Sequence, residues 1–169
     1  MLTIVVVVED KQEEQAAALE AIKHAAGAVE EISRVEIIPG CPMVALKSQN
    51  GDGGTQVLFA ADLASAKDKI KFAQRLTGTA KVGVITDLMF PPKRDGKEEP
   101  NGLGVITECI AAKLPVVVCS DTDHHEVGWL HPVFPILGQA HPAGKIPVIL
   151  DRKDWGQAVA LLAEVSATA

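Results

Sequence analysis

The stretch KVGVITDLMFPP (Lys81 to Pro92) decides how the chain is read. Val82, Val84 and Ile85 have the look of a buried strand, and the apolar run stops at Asp87 before a bulky segment and a proline pair. A carboxylate at the end of a buried strand is set where open α/β sheets bind ligands, outside the carboxyl ends of their strands. Working outward, LTIVVVV (Leu2 to Val8) is a continuous β-branched run that meets Glu9 and Asp10. LPVVVCS ends at Ser120 and Asp121, and IPVIL ends at Asp151. Unbroken apolar strands of this kind belong to parallel sheets covered on both faces.

Helical patterns lie between these strands. The first runs through KQEEQAAALEAIKHAAGAVEEIS, with Leu19, Ile22, Ala26 and Val29 on one stripe and Glu13 and Glu14 at the positive end of its dipole. DLASAKDKIKFAQRL is a second, capped by Asp62, and LGVITECIAAK a shorter third. The segment from Asp121 to Gly144 is broken by Pro132, Pro135 and Pro142 and reads as short helical turns and loop. DWGQAVALLAEV closes the chain with Trp155, Val159, Leu162 and Val165 on one stripe. Alternating strands and helices predict a doubly wound α/β fold with a parallel sheet. The apolar runs VEII and MVAL, with the turn-rich QNGDGG, predict an added strand or hairpin at the sheet edge over residues 34–54. An exposed edge there invites a homodimer.

Composition narrows the function classes. At 169 residues the chain fits a single domain, residues 1–169, and 22% charged residues are ordinary for a soluble protein. A net charge of −6, with 4% aromatics and no tyrosine, argues against a nucleic-acid surface. The apolar N-terminus is too short for a membrane span or a signal peptide. Cys41, Cys109 and Cys119 are scattered and odd in number, as expected of reduced thiols in a cytoplasmic protein.

If the strands are neighbours, Glu9, Asp10 and Asp87 converge. Crowded carboxylates repel unless a cation neutralises them, and hard oxygen donors suit magnesium. An aspartate in that setting can also act as a nucleophile. The plainer reading of an acid after a strand is a helix N-cap, which applies to Asp10 and Asp121 taken singly. SDTDHHE gathers Asp121, Asp123, His124, His125 and Glu126, with His131 and His141 further on. That loop would support metal-assisted hydrolysis, yet no H-E-x-x-H spacing exists, and a solvated partner-facing loop explains it as well. QNGDGG lacks the ending of a phosphate loop.

Taken in order, these motifs resemble the receiver domain of two-component response regulators. IVVVVEDK is similar to that family's first strand and acidic pair, VITDLMFP to its phospho-acceptor strand with Pro91 in place, NGLGVI to its next helix start at Gly102, and LPVVVCSD to its fourth strand. The resemblance implies a flavodoxin-like, five-stranded sheet of order 2-1-3-4-5. It implies Asp87 as phospho-acceptor, Ser120 as switch hydroxyl, and Mg2+ held by Glu9, Asp10 and Asp87. It further implies a phosphorelay role with a histidine kinase or a downstream target as partner, in a signalling domain rather than a turnover enzyme. The family's lysine after the fifth strand is the departure: Asp151 stands there, and Lys153 or Lys145 would have to substitute. A pseudo-receiver that serves as a scaffold without phosphorylation is the alternative, and a metal-dependent hydrolase on the His124/His125 loop the next. Flavin binding follows at a distance, since the hydroxyl-rich phosphate loop is missing. The polar segment from Pro92 to Gly102 is expected to be a mobile loop over the acidic site.

Overall fold

A computed structural model describes residues 2–38, 41–48, 54–93, 96–123, 125 and 128–168, with the backbone alone for 29–38, 41, 42 and 48. The chain order is β1 (Leu2–Val8), α1 (Gln12–Ala25), β2 (Ala28–Ile38), β3 (Cys41–Ser48), β4 (Gly54–Ala60) and α2 (Leu63–Gln74). It continues with β5 (Ala80–Thr86), α3 (Gly102–Ala112), β6 (Val116–Cys119), a 3-10 turn (Gly128–Leu130), α4 (Val133–Ala140), β7 (Val148–Ile149) and α5 (Trp155–Thr168). The strands form one sheet in the order β2-β3-β4-β1-β5-β6-β7.

The apolar strands are buried on both faces, and their side chains alternate between two cores. Ile4, Val6 and Val8 of β1 join Val82 and Val84 of β5 beneath α2 and α3. Val5 and Val7 face the other way, with Ile85, against Leu19 and Ile22 of α1 and Trp155, Leu162 and Val165 of α5. Gly83 is required by this packing: a Cβ there would come 2.8 Å from the Leu162 side chain. Asp62 caps α2 in a reciprocal pair with Ser65.

Five strands, β4-β1-β5-β6-β7, run parallel and keep the expected relative order. The sheet nevertheless has more strands than the five expected, because β2 and β3 continue it antiparallel beyond β4. The added hairpin also begins earlier than residue 34. The first helix stops at Ala25, and Gly27 at φ +56° turns the chain left-handed, so Val29 lies in a strand and not on the helical stripe. Apolar spacing carried the helical reading past a glycine whose position marks the stop. The QNGDGG stretch between β3 and β4 lies outside the described residues except for Gly54, and β3 and β4 pair antiparallel. Cys109 and Cys119 are free and buried, and burial pushes the Cys119 thiol up to about 12.

Candidate functional site

The parallel register sets the acidic groups side by side. The Glu9 amide donates to the Ala60 carbonyl at 2.8 Å, and the Asp87 amide to the Val8 carbonyl at 2.9 Å. One ladder step past the end of β1 and β5, Glu9 and Asp87 are therefore held by backbone bonds, and Ser120 is fixed likewise by donating to the Ile149 carbonyl at 3.0 Å. Glu9, Asp87 and Ser120 are all buried. Glu9, Asp10 and Asp87 each offer a carboxylate oxygen within 4.8 Å of the others.

Both oxygens of Asp87 are engaged. Oδ1 accepts from the Leu88 amide at 2.6 Å and from the Ser120 hydroxyl at 2.5 Å. Oδ2 lies 2.8 Å from the Lys153 ammonium, which also reaches Glu9 Oε2 at 2.5 Å. Of the two candidate lysines, Lys153 is the one at the carboxylates. Lys145 precedes β7 and is exposed, at the end of the sheet away from them. Lys153 arrives because Asp151 takes φ +69°, a left-handed turn that advances the chain from the strand end. The Asp151 amide then donates to the Thr122 carbonyl at 3.1 Å.

Charge and burial oppose each other here. Burial pushes the Glu9 carboxyl up to about 7, against the pull of the Lys153 hydrogen bond and the Lys11 amide. Burial would also lower Lys153, but its hydrogen bonds to Asp87 and Glu9 and their charges outweigh that and hold the ammonium above the ordinary lysine range.

The helix-cap explanation does not account for Asp10. The N-cap of α1 is Lys11, without a side-chain capping bond, and Asp10 Oδ1 is buried with no hydrogen-bond partner among the described residues. A buried, unpaired carboxylate oxygen beside two further carboxylates is a donor set that fits a hard divalent cation. Gly102 opens α3 directly on the chain that follows Asp87; a Cβ would meet the Asp87 carbonyl at 2.5 Å. The loop after Phe90 is closed at its base by paired 3.2 Å bonds between Phe90 and Glu99.

Other candidates lie elsewhere. Among the described residues, the one cluster able to hold a metal ion contains no histidine. His124 is outside the described residues, and the His125 amide donates to Asp123. His141 is buried away from the acids, where its Nε2 lies 3.0 Å from the Val116 amide. Sequence reasoning passed over two residues. Thr122 lies with its hydroxyl 2.8 Å from that of Ser120, and Lys11 pairs with Asp121 at 3.4 Å. The second had a signal, a lysine directly after the acidic pair; the first had none beyond its distance from Ser120.

The chain superposes on a response regulator receiver protein from Sinorhizobium medicae WSM419 with a TM-score of 0.57, at 13% identity, over 98% of this chain and 95% of that one. It has the receiver fold. The RcsB response regulator of Salmonella typhimurium aligns at a TM-score of 0.41 and 14% identity, over 96% of this chain and 59% of its own. A futalosine hydrolase mutant of Helicobacter pylori aligns at 0.36 and 12%, over 98% and 94%. At these lower scores nothing further rests on the last two. No protein-family model and no curated protein matches the chain. No helix among the described residues is long and apolar enough to cross a membrane.

Proposed function

We propose that the chain is a receiver-like signalling domain that accepts a phosphoryl group on Asp87. The observation that carries this reading is the Lys153 ammonium 2.8 Å from Asp87 Oδ2, in the company of an acidic pair and a serine hydroxyl. Asp87 attacks phosphorus through a carboxylate oxygen, the bond to the donor's leaving group breaks with its electron pair, and an acyl phosphate remains. Lys153 supplies a fixed positive charge beside the new oxygens, and Ser120 redirects its hydroxyl hydrogen bond from the carboxylate to one of them. Glu9, Asp10 and Asp87 would hold Mg2+, which when bound supplies positive charge to the transferring group.

Ser120 is linked onward through Thr122 to the Asp151 amide, so a shift of its hydroxyl reaches the β7 end and the start of the segment from Asp121 to Gly144. The later part of that segment, from Gly128 to Gly144, contains no Asp, Glu, Lys or Arg, and it exposes Trp129 and Ile136. An apolar, uncharged surface of this kind suits output through protein contact. Incubation with Mg2+ and a small acyl phosphate should add a labile phosphoryl mass that Asp87→Asn abolishes. The same mass on wild type and Asp87→Asn, or none on either, defeats the reading.

The pseudo-receiver reading keeps one specific support. Asp87 is already a satisfied buried group, and Lys153 already serves as the counter-ion of both Glu9 and Asp87. In that case the site is a structural ion cluster, and the phosphoryl mass is absent while Lys153→Met still destabilises the fold.

A further inference from the structure

We propose that Asp121 is a resident anion that sets the access of phosphate-bearing ligands to Asp87. Its carboxylate lies between two ammonium groups from separate elements: Oδ2 is 3.4 Å from Lys11 Nζ, at the start of α1, and Oδ1 is 3.9 Å from Lys153 Nζ, just before α5. Glu9, Asp87 and the Lys153 side chain are buried, the last at 2% exposure, whereas the Asp121 side chain is 49% exposed and that of Lys11 39%. An anion that approaches Asp87 from solvent therefore meets Lys11 and Asp121 first, with Lys153 behind them. It must displace the Asp121 carboxylate to gain both lysines. Lys11 adds a second cation that a phosphoryl oxygen can reach once Asp121 has moved, and Asp121 and Lys11 together become specificity-determining residues for the donor.

The pairs are long and partly solvated, so the barrier is small and tunable. Exposed ion pairs typically contribute under ~1 kcal/mol, which corresponds to about a fivefold change in an equilibrium constant. This is the range of a regulator and not of a block. Glu98, in the loop after Phe90, also helps hold Lys11 above its ordinary range, although burial works to lower it and Asp121 raises it more. The charge of that loop therefore acts on the same lysine.

The inference rests on the phosphoryl-acceptance reading for its consequence, but its test does not depend on turnover. Inorganic phosphate is titrated into wild type, Asp121→Asn and Lys11→Gln/Asp121→Asn, with the amide signals of Leu88, Ser120 and Thr122 followed by NMR. A small acyl phosphate is supplied in parallel and the mass followed. Asp121→Asn should bind phosphate about fivefold tighter than wild type. The gain should shrink at ~1 M salt, where screening acts within about 3 Å, and the double variant should return towards wild type. Equal phosphate affinity in wild type and Asp121→Asn, or no binding in either, overturns the proposal even if Asp87 is phosphorylated. Tighter phosphate binding without a phosphoryl mass in any variant upholds the role of Asp121 and defeats phosphoryl acceptance instead.

Discussion

Among the described residues, Lys153 is the single positive charge within 3 Å of two buried carboxylates, and most of the local electrostatics follows from it. Lys153→Met would leave Glu9 and Asp87 facing each other without a counter-ion. Removing one partner of a buried pair costs about 3–5 kcal/mol, so urea unfolding at pH 8 should show a loss of that order. The loss should be smaller at pH 5. Glu9 has a folded pKa near 7 against an ordinary value of 4.5, so its favourable contribution is complete below about 4.5 and is lost as pH rises through about 7. A protonated Glu9 no longer repels Asp87, and an equal loss at both pH values would mean that the two carboxylates do not interact. At this scale the sequence was informative about identity and poor about reach. Glu9, Asp87 and Ser120 were visible as strand-end residues, because an apolar run that stops on a polar group is a local pattern. Choosing Lys153 over Lys145 required the left-handed turn at Asp151, which no periodicity encodes.

Elements position these residues through close backbone approaches. Gly102→Ala would drive a Cβ into the Asp87 carbonyl and the Leu88 Cα, both backbone atoms that cannot step aside. A cost of about 1–3 kcal/mol is expected for such overpacking, read as a lower urea midpoint with an unchanged slope. A neutral result would mean that α3 can lift away from the Asp87 turn. His141 joins the end of α4 to β6, with Nε2 near the Val116 amide and Nδ1 3.2 Å from the Ala143 amide. Burial holds its pKa below 6.5, so its contribution is present above 6.5 and is lost as pH falls through the lower folded value. The stability difference between wild type and His141→Gln should therefore shrink below pH 6.5, by up to ~1.4 kcal/mol per pH unit; a constant difference contradicts this. Elements with strong periodicity, such as β1, β5, α2 and α5, were readable from the sequence. The boundary between α1 and β2 was not, since Val29 continues a helical spacing that Gly27 ends.

At the scale of the whole molecule, the parallel order was readable because unbroken β-branched runs need cover on both faces, while the extent of β2 and β3 was not. The hairpin continues the sheet beyond β4, and its outer strand β2 pairs with β3 through register shifts after Ala28, Glu31 and Glu36. Irregular outer strands resist edge-to-edge pairing. Deleting residues 28–48 with a short linker should uncover the β4 edge and raise the mass seen by light scattering. An unchanged monomer mass would show that the hairpin shields nothing, and a fall from dimer to monomer would make it the dimer contact. The signalling role proposed for the site depends on phosphorus arriving at one carboxylate. The most direct measurement treats the chain with Mg2+ and a small acyl phosphate, reduces it with borohydride, and maps its peptides. An acyl phosphate on Asp87 is converted by the reductant to homoserine, so homoserine at position 87 alone is the predicted result. Homoserine at another aspartate, or an unmodified Asp87 after full exposure to the donor, would contradict it.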